Sequence, residues 1–122
     1  ALSSGTYIVK IEGTQSSSNN SPITFYSNAL DIDNDFAQLN NQTITPASFS
    51  TTYYYLTMPA GGNLDISNAG NYSYTTVFTE DMAVVSYRSG SGRTIALSSG
   101  TYIVKIEGTQ SSSNNSPITF VF

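Results

Sequence analysis

The sequence predicts an all-β fold, an antiparallel β-sandwich of the jelly-roll or immunoglobulin-like kind, and three observations carry that expectation. Apolar residues alternate with polar ones along most of the chain, while helical spacing is almost absent. The alternating runs are short and recur about every ten residues, the rhythm of sandwiches and barrels. Clusters such as PAGG, SNAGN, TED, SGSG, LSSG and TQSSSNNSP separate them, each rich in residues that turn a backbone.

The first 25 residues, ALSSGTYIVKIEGTQSSSNNSPITF, return letter for letter at 96–120. In each copy TYIVKIE alternates and ITF follows a polar loop, so each copy reads as a strand pair. NALDIDNDFAQL (28–39) is the one stretch able to hold a helical turn, and it is read as a strand around Leu30 and Ile32 followed by a loop. TTYYYLTMP (51–59) places Tyr54, Leu56 and Met58 on one face and Tyr53, Tyr55 and Thr57 on the other, and Pro59 stops it. GNLDIS (62–67) turns Leu64 and Ile66 inward and Asp65 outward. SYTTVFT (73–79), AVVSYR (83–88), TIAL (94–97), TYIVKIE (101–107) and ITFVF (118–122) complete the series. The expected core is Tyr54, Leu56, Met58, Leu64, Ile66, Val77, Val84, Leu97, Tyr102, Val104 and Ile106, with Ile103, Lys105 and Glu107 on the opposite face.

Composition bounds the function. At 122 residues the chain suits one domain with a modest core. Charged residues make up 10% and the net charge is −4, so hydroxyls and amides carry solubility. Four Lys and Arg make no basic stripe, which argues against nucleic acid and anionic membranes as partners. No apolar run approaches the ~20 residues a membrane-spanning helix needs, and no charged-then-apolar leader opens the sequence, which is read as mature, trimmed or excised. Cysteine, histidine and tryptophan are absent. A Ser-His-Asp triad, a cysteine nucleophile and an ordinary zinc site are thereby excluded, and no enzyme activity or cofactor is expected. The Ser, Thr, Asn and Tyr content is similar to that of extracellular surface proteins, and the expected place is outside the cell or on its surface, in a bacterium or archaeon.

From Asn28 onward the order SNALDI, TTYYYLTMPAGGNLDIS, YTTVFTEDMAVVSY and IALSSGTYIVKIEG resembles the bacterial pre-peptidase C-terminal type of domain, a β-sandwich appended to or repeated within large secreted proteins. The matching positions are Tyr54, Leu56 and Met58 before the Pro-Ala-Gly-Gly turn, and Leu97, Gly100, Tyr102, Ile103 and Val104. The acidic residue that the family often places before the YY strand is replaced by Thr51 and Thr52, which removes that basis for a calcium role. The GTYIVKI strand is also similar to C-terminal sorting domains of Bacteroidetes secreted proteins. Those normally end soon afterwards, whereas 16 residues follow Ile106 here.

The repeat recurs at an offset of 95 residues, about the length of that domain. A loop such as TQSSSNNS is hardly constrained by a fold, so identity through it marks recent duplication or deliberate construction. Either residues 1–25 are the tail of one unit in a tandem array and 26–122 the next unit, or a terminal strand pair has been duplicated. Both accounts give a duplicated segment at 1–25 and a β-sandwich domain at 26–122. In both, two equal segments compete for one place, and the unused pair has an exposed edge that templates pairing with another chain. The expected assembly residues are Tyr7, Val9, Ile11, Ile23 and Phe25, with their equivalents Tyr102, Val104, Ile106, Ile118 and Phe120. The expected partners are copies of the chain itself, as a homopolymer or neighbouring repeats.

Two other constellations have a chemistry. Asp31, Asp33 and Asp35 have the D-x-D-x-D spacing of calcium loops, yet Phe36 stands where such a loop needs glycine and Gln42 where it needs a bidentate glutamate. They are the calcium candidate, against an expectation of no metal. Tyr53, Tyr55, Tyr72, Tyr74 and Tyr87 could stack on sugar rings from an outer sheet face, or pair across strands for stability. Two function classes follow. One is a structural or adhesive repeat assembling by strand complementation. The other is a carbohydrate- or protein-binding accessory module of a secreted enzyme.

Overall fold

The computed structural model of the chain describes residues 7–25 and 32–122, with nothing of the side chains of Asp33 and Asn34. The chain divides into two units, Ala1–Leu30 and Asp31–Phe122, which are taken one at a time.

The larger unit is a β-sandwich. A single helical turn, α1 (Ile32–Asp35), leads into β1 (Ala37–Gln38), β2 (Gln42–Ile44), β3 (Ser50–Met58), β4 (Gly62–Ala69), β5 (Ser73–Thr79), β6 (Val84–Ser89), β7 (Ser91–Leu97), β8 (Gly100–Gly108) and β9 (Ile118–Val121). One sheet has the order β1-β3-β8-β5-β6 and the other β2-β9-β4-β7. Every pairing is antiparallel except the two-residue contact of β1 with β3.

Alternation builds the core, because successive side chains on a strand leave opposite faces. Leu56 and Met58 of β3, Val77 of β5, and Tyr102, Val104 and Ile106 of β8 face Leu64 and Ile66 of β4, Leu97 of β7, and Ile118 and Phe120 of β9, and all are buried. Tyr54 is half-buried and packs against this cluster. The expected strand phases hold along β3, β4, β5 and β8.

Three expectations change. The strand around Leu30 and Ile32 is instead a helical turn at Ile32–Asp35, closed by Phe36 N donating to Ile32 O at 3.2 Å; Leu30 lies outside the described residues. Val84 is 44% exposed, because β6 is the edge of its sheet and its pairing with β5 shifts register twice. Ile103 is fully buried although it stands on the polar phase of β8, for its neighbours in register are Tyr55 on one side and Phe78 on the other. The link at 40–50 also holds an unanticipated strand, β2, whose Thr43 hydroxyl bonds that of Thr119 at 2.8 Å.

Arg93 ties the two sheets together at their β6 and β7 edges. It pairs in register with inward-facing Ile66, and from β7 its guanidinium donates to Ser86 Oγ (2.8 Å), Thr75 Oγ1 (2.8 Å) and Thr75 O (3.1 Å) in the other sheet. Partial burial among these neutral acceptors holds its pKa below the usual arginine value.

In the smaller unit, residues 7–25 form no strand. Tyr7, Val9, Ile11, Ile23 and Phe25 are all exposed, and a turn spans 17–19. An isolated two-stranded ribbon is marginal in water, so alternation without a neighbouring ladder leaves the backbone open.

Candidate functional site: the duplicated segment and the place it fills

The second copy of the repeat is the centre of the sandwich. Its β8 lies between β3 and β5 in one sheet, and its β9 lies between β2 and β4 in the other. Removing both would divide each sheet in two. Tyr102, Val104, Ile106, Ile118 and Phe120, the expected assembly residues of this copy, come together inside the core. Their first-copy equivalents are on the surface of their own unit.

The connecting loop at 109–117 is held from two sides. Asn115, buried, donates from Nδ2 to Pro46 O (3.1 Å) and Ala47 O (3.2 Å). Ser112 N donates to Ser48 Oγ (2.9 Å), and Phe49 N donates to Gln110 O (3.0 Å). From the other side Thr109 N donates to Tyr72 O (2.9 Å), Ser116 N to Asn71 O (2.9 Å), and buried Ser73 Oγ to Ser116 O (2.7 Å). Phe49 and Tyr72 sit at φ 46° and 57°, where residues other than glycine are uncommon, so both receiving turns adopt costly backbone geometry next to the loop. Gly108 is required here. A Cβ at that position would lie 2.5 Å from Asn115 Nδ2, 2.6 Å from Ala47 O and 2.9 Å from Pro46 Cβ.

Within itself the loop is the same object in both copies. Asn115 N bonds Ser111 O at 3.1 Å, Gln110 N bonds Asn115 Oδ1 at 3.1 Å, and Asn115 Nδ2 bonds Gln110 O at 3.1 Å. In the first copy Asn20 N bonds Ser16 O at 3.2 Å, Gln15 N bonds Asn20 Oδ1 at 3.3 Å, and Asn20 Nδ2 bonds Gln15 O at 3.0 Å. Gly13 again makes room, since its Cβ would lie 2.6 Å from Asn20 Nδ2. The loop is therefore specified locally, by an asparagine that closes on its own backbone five residues earlier. The strands on either side of it are specified only by their neighbours.

The outer face of the β1-β3-β8-β5-β6 sheet gathers Tyr53, Tyr55 and Tyr74 near Lys105 and Glu107. Phe36 stacks on Tyr53 with ring centroids 5.5 Å apart. The Arg88 guanidinium lies 3.5 Å over the Tyr74 ring while donating to Glu107 at 2.9 Å, and Lys105 approaches the same carboxylate at 3.4 Å. Tyr72 belongs to the turn before β5, and Tyr87, 82% exposed, stands on the edge strand where its pairing with β5 shifts register. Tyr72 is thus set apart from the sheet face that holds Tyr53, Tyr55 and Tyr74.

Of the calcium candidates, Asp31 and the side chain of Asp33 lie outside the described residues, and Asp35 is exposed. Among the described residues no group of three or more His, Cys, Asp or Glu stands together as a metal site, and no helix is long and apolar enough to cross a membrane.

No protein-family model matches the sequence, and no curated protein matches it. Among solved structures the chain is similar to the pre-peptidase C-terminal domain of collagenase from Bacillus anthracis, a 1.0 Å crystal structure. The identity is 15% and the TM-score 0.48, over 84% of this chain and 97% of that one.

Proposed function

We propose that the chain is a non-enzymatic extracellular β-sandwich module that joins to other copies by strand complementation, as a link in a filament or tandem array. One observation carries this reading: the same 25 letters are the central strands of the sandwich at 96–120, while at 1–25 their described residues form no strand. A segment that completes one body so fully has the chemistry to complete another of the same sequence. The extracellular placement rests on composition, and the absence of enzymatic activity on a chain without histidine or cysteine.

Stoichiometry fixes how such joining works. Each chain has one body and two segments, so exchange between whole chains expels as many segments as it docks. Net association therefore needs bodies whose own place is empty. Chains of residues 1–95, with one body and one segment each, should grow head to tail, and chains of residues 26–122 should stay monomeric. Light scattering and electron microscopy of these two chains beside the full one test the proposal. Monomeric, folded 1–95 at high concentration would show that the segment closes only on its own body. Unfolded, unassociated 1–95 would remove the reading altogether.

The second reading, a glycan-binding accessory module, has Tyr53 and Tyr55 in its favour. Phe36 on Tyr53 and Arg88 on Tyr74 instead support cross-strand pairing as the work of this face.

A further inference from the structure

We infer that the two turns at 46–49 and 71–73 form a recognition site for the loop of a second copy, and that Asn20 is the residue this site reads. The inference rests on the strand-complementation reading and names the group that sets its register.

Alternating strands alone specify position poorly. TYIVKI could slide by two residues and keep every apolar side chain on the same face. Sliding is prevented in the second copy by the loop. Asn115 reaches carbonyls of Pro46 and Ala47 from the one register that also brings Ser116 beside Asn71 and Ser73. The site is specific for an amide. Pro46 O and Ala47 O are both acceptors, so they require a donor, while Gln110 N requires an acceptor on the same side chain. Asparagine supplies both from one group, and aspartate would supply only the acceptor. Gly108 must accompany it, because any side chain there meets Asn115 and Ala47.

The first copy presents the same pair, Gly13 and Asn20, with the amide already turned toward Gln15 as Asn115 is toward Gln110. Its loop is therefore pre-organised for the site, and the ordering cost of docking falls mainly on the strands. The occupant is thus the 15–21 loop of a second copy, entering as one piece with the strand on either side.

The test uses full-length chains in two roles. An acceptor bearing Asn115→Asp has a weakened segment of its own. Donors are isotope-labelled wild type and Asn20→Asp, both of which keep Asn115 and hence their own sandwich. Docking is read as slowed amide exchange at Val9 of the donor during titration with acceptor. Wild-type donor should dock, and Asn20→Asp should dock at least about tenfold more weakly, the loss expected when donation to two carbonyls is removed. If Asn115→Asp leaves no folded body, full-length Val104→Ala, which weakens the acceptor's own segment and leaves both turns unchanged, serves as the acceptor. Equal docking by the two donors would overturn the role of Asn20 and leave strand complementation standing. No docking by either donor on either acceptor would overturn both.

Discussion

Val9 and Val104 occupy the same place in the same heptapeptide, TYIVKIE, yet Val9 is 62% exposed and Val104 is fully buried. Identical local sequence gives opposite burial because β8 has a ladder on each side and residues 7–11 form no strand. Val104→Ala should therefore lower stability by about 1 to 3 kcal/mol, and Val9→Ala should leave it unchanged within a few tenths. Denaturant unfolding of the two variants measures the difference.

Proline tests the ladders more sharply. Val104→Pro removes an N–H and fixes φ in the middle of a central strand, and should unfold the sandwich or hand its place to residues 1–25. Val9→Pro should leave the sandwich intact and prevent residues 1–25 from docking elsewhere. Circular dichroism and size-exclusion chromatography separate these outcomes.

The phase of β3 gives a third expectation. Leu56→Ala should cost about 2 to 4 kcal/mol, since Leu56 is fully buried at the centre of the core. Tyr53→Ala, which loses the stack on Phe36 at the surface, should cost about 1 kcal/mol. The reverse order would place the strand one residue out of register.

Arg93 joins β7 to the opposite sheet through hydrogen bonds to neutral acceptors, Ser86 Oγ and the hydroxyl and carbonyl of Thr75. Arg93→Ala should destabilise the domain by about 1 to 3 kcal/mol, through acceptors left unmatched near the β6 and β7 edges. Hydrogen exchange should quicken first in those two strands.

Acid should act at the β5–β6 turn. The Thr79 hydroxyl donates to Asp81 and holds its carboxyl below the usual aspartate range. A lowered folded-state pKa contributes stability that is present above the unfolded value and lost as pH falls through the folded one. Thr79→Val should raise the Asp81 pKa toward its ordinary value, as followed by NMR titration.

Much of this fold can be read in the alternation of single residues. Leu56, Leu64, Ile66, Val77, Val104 and Ile106 are inward because their parity is unambiguous. Parity does not reveal strand order, and each departure follows from that. Val84 is carried to the outer face by the register shifts of an edge strand, which set it opposite Phe78, whereas Ile103 stands on that outer face but is covered between Tyr55 and Phe78. The repeat itself is evident in the letters, as is its competition for one place. Nothing in the sequence distinguishes Asn115 from Asn114 beside it. Its importance comes from Pro46 and Ala47, nearly seventy residues away.

The placement of β8 and β9 also has a mechanical meaning. A segment docked between β3 and β5 in one sheet and between β2 and β4 in the other is gripped by four ladders at once. Tension applied along the docked strands loads those ladders in shear, with many hydrogen bonds sharing the force, whereas an edge strand peeled sideways would break them singly. A joint of this kind should not slip under load. It should hold until the body that grips it unfolds, so the rupture force of a chain of such modules would report the unfolding rate of the sandwich and not the affinity of the segment.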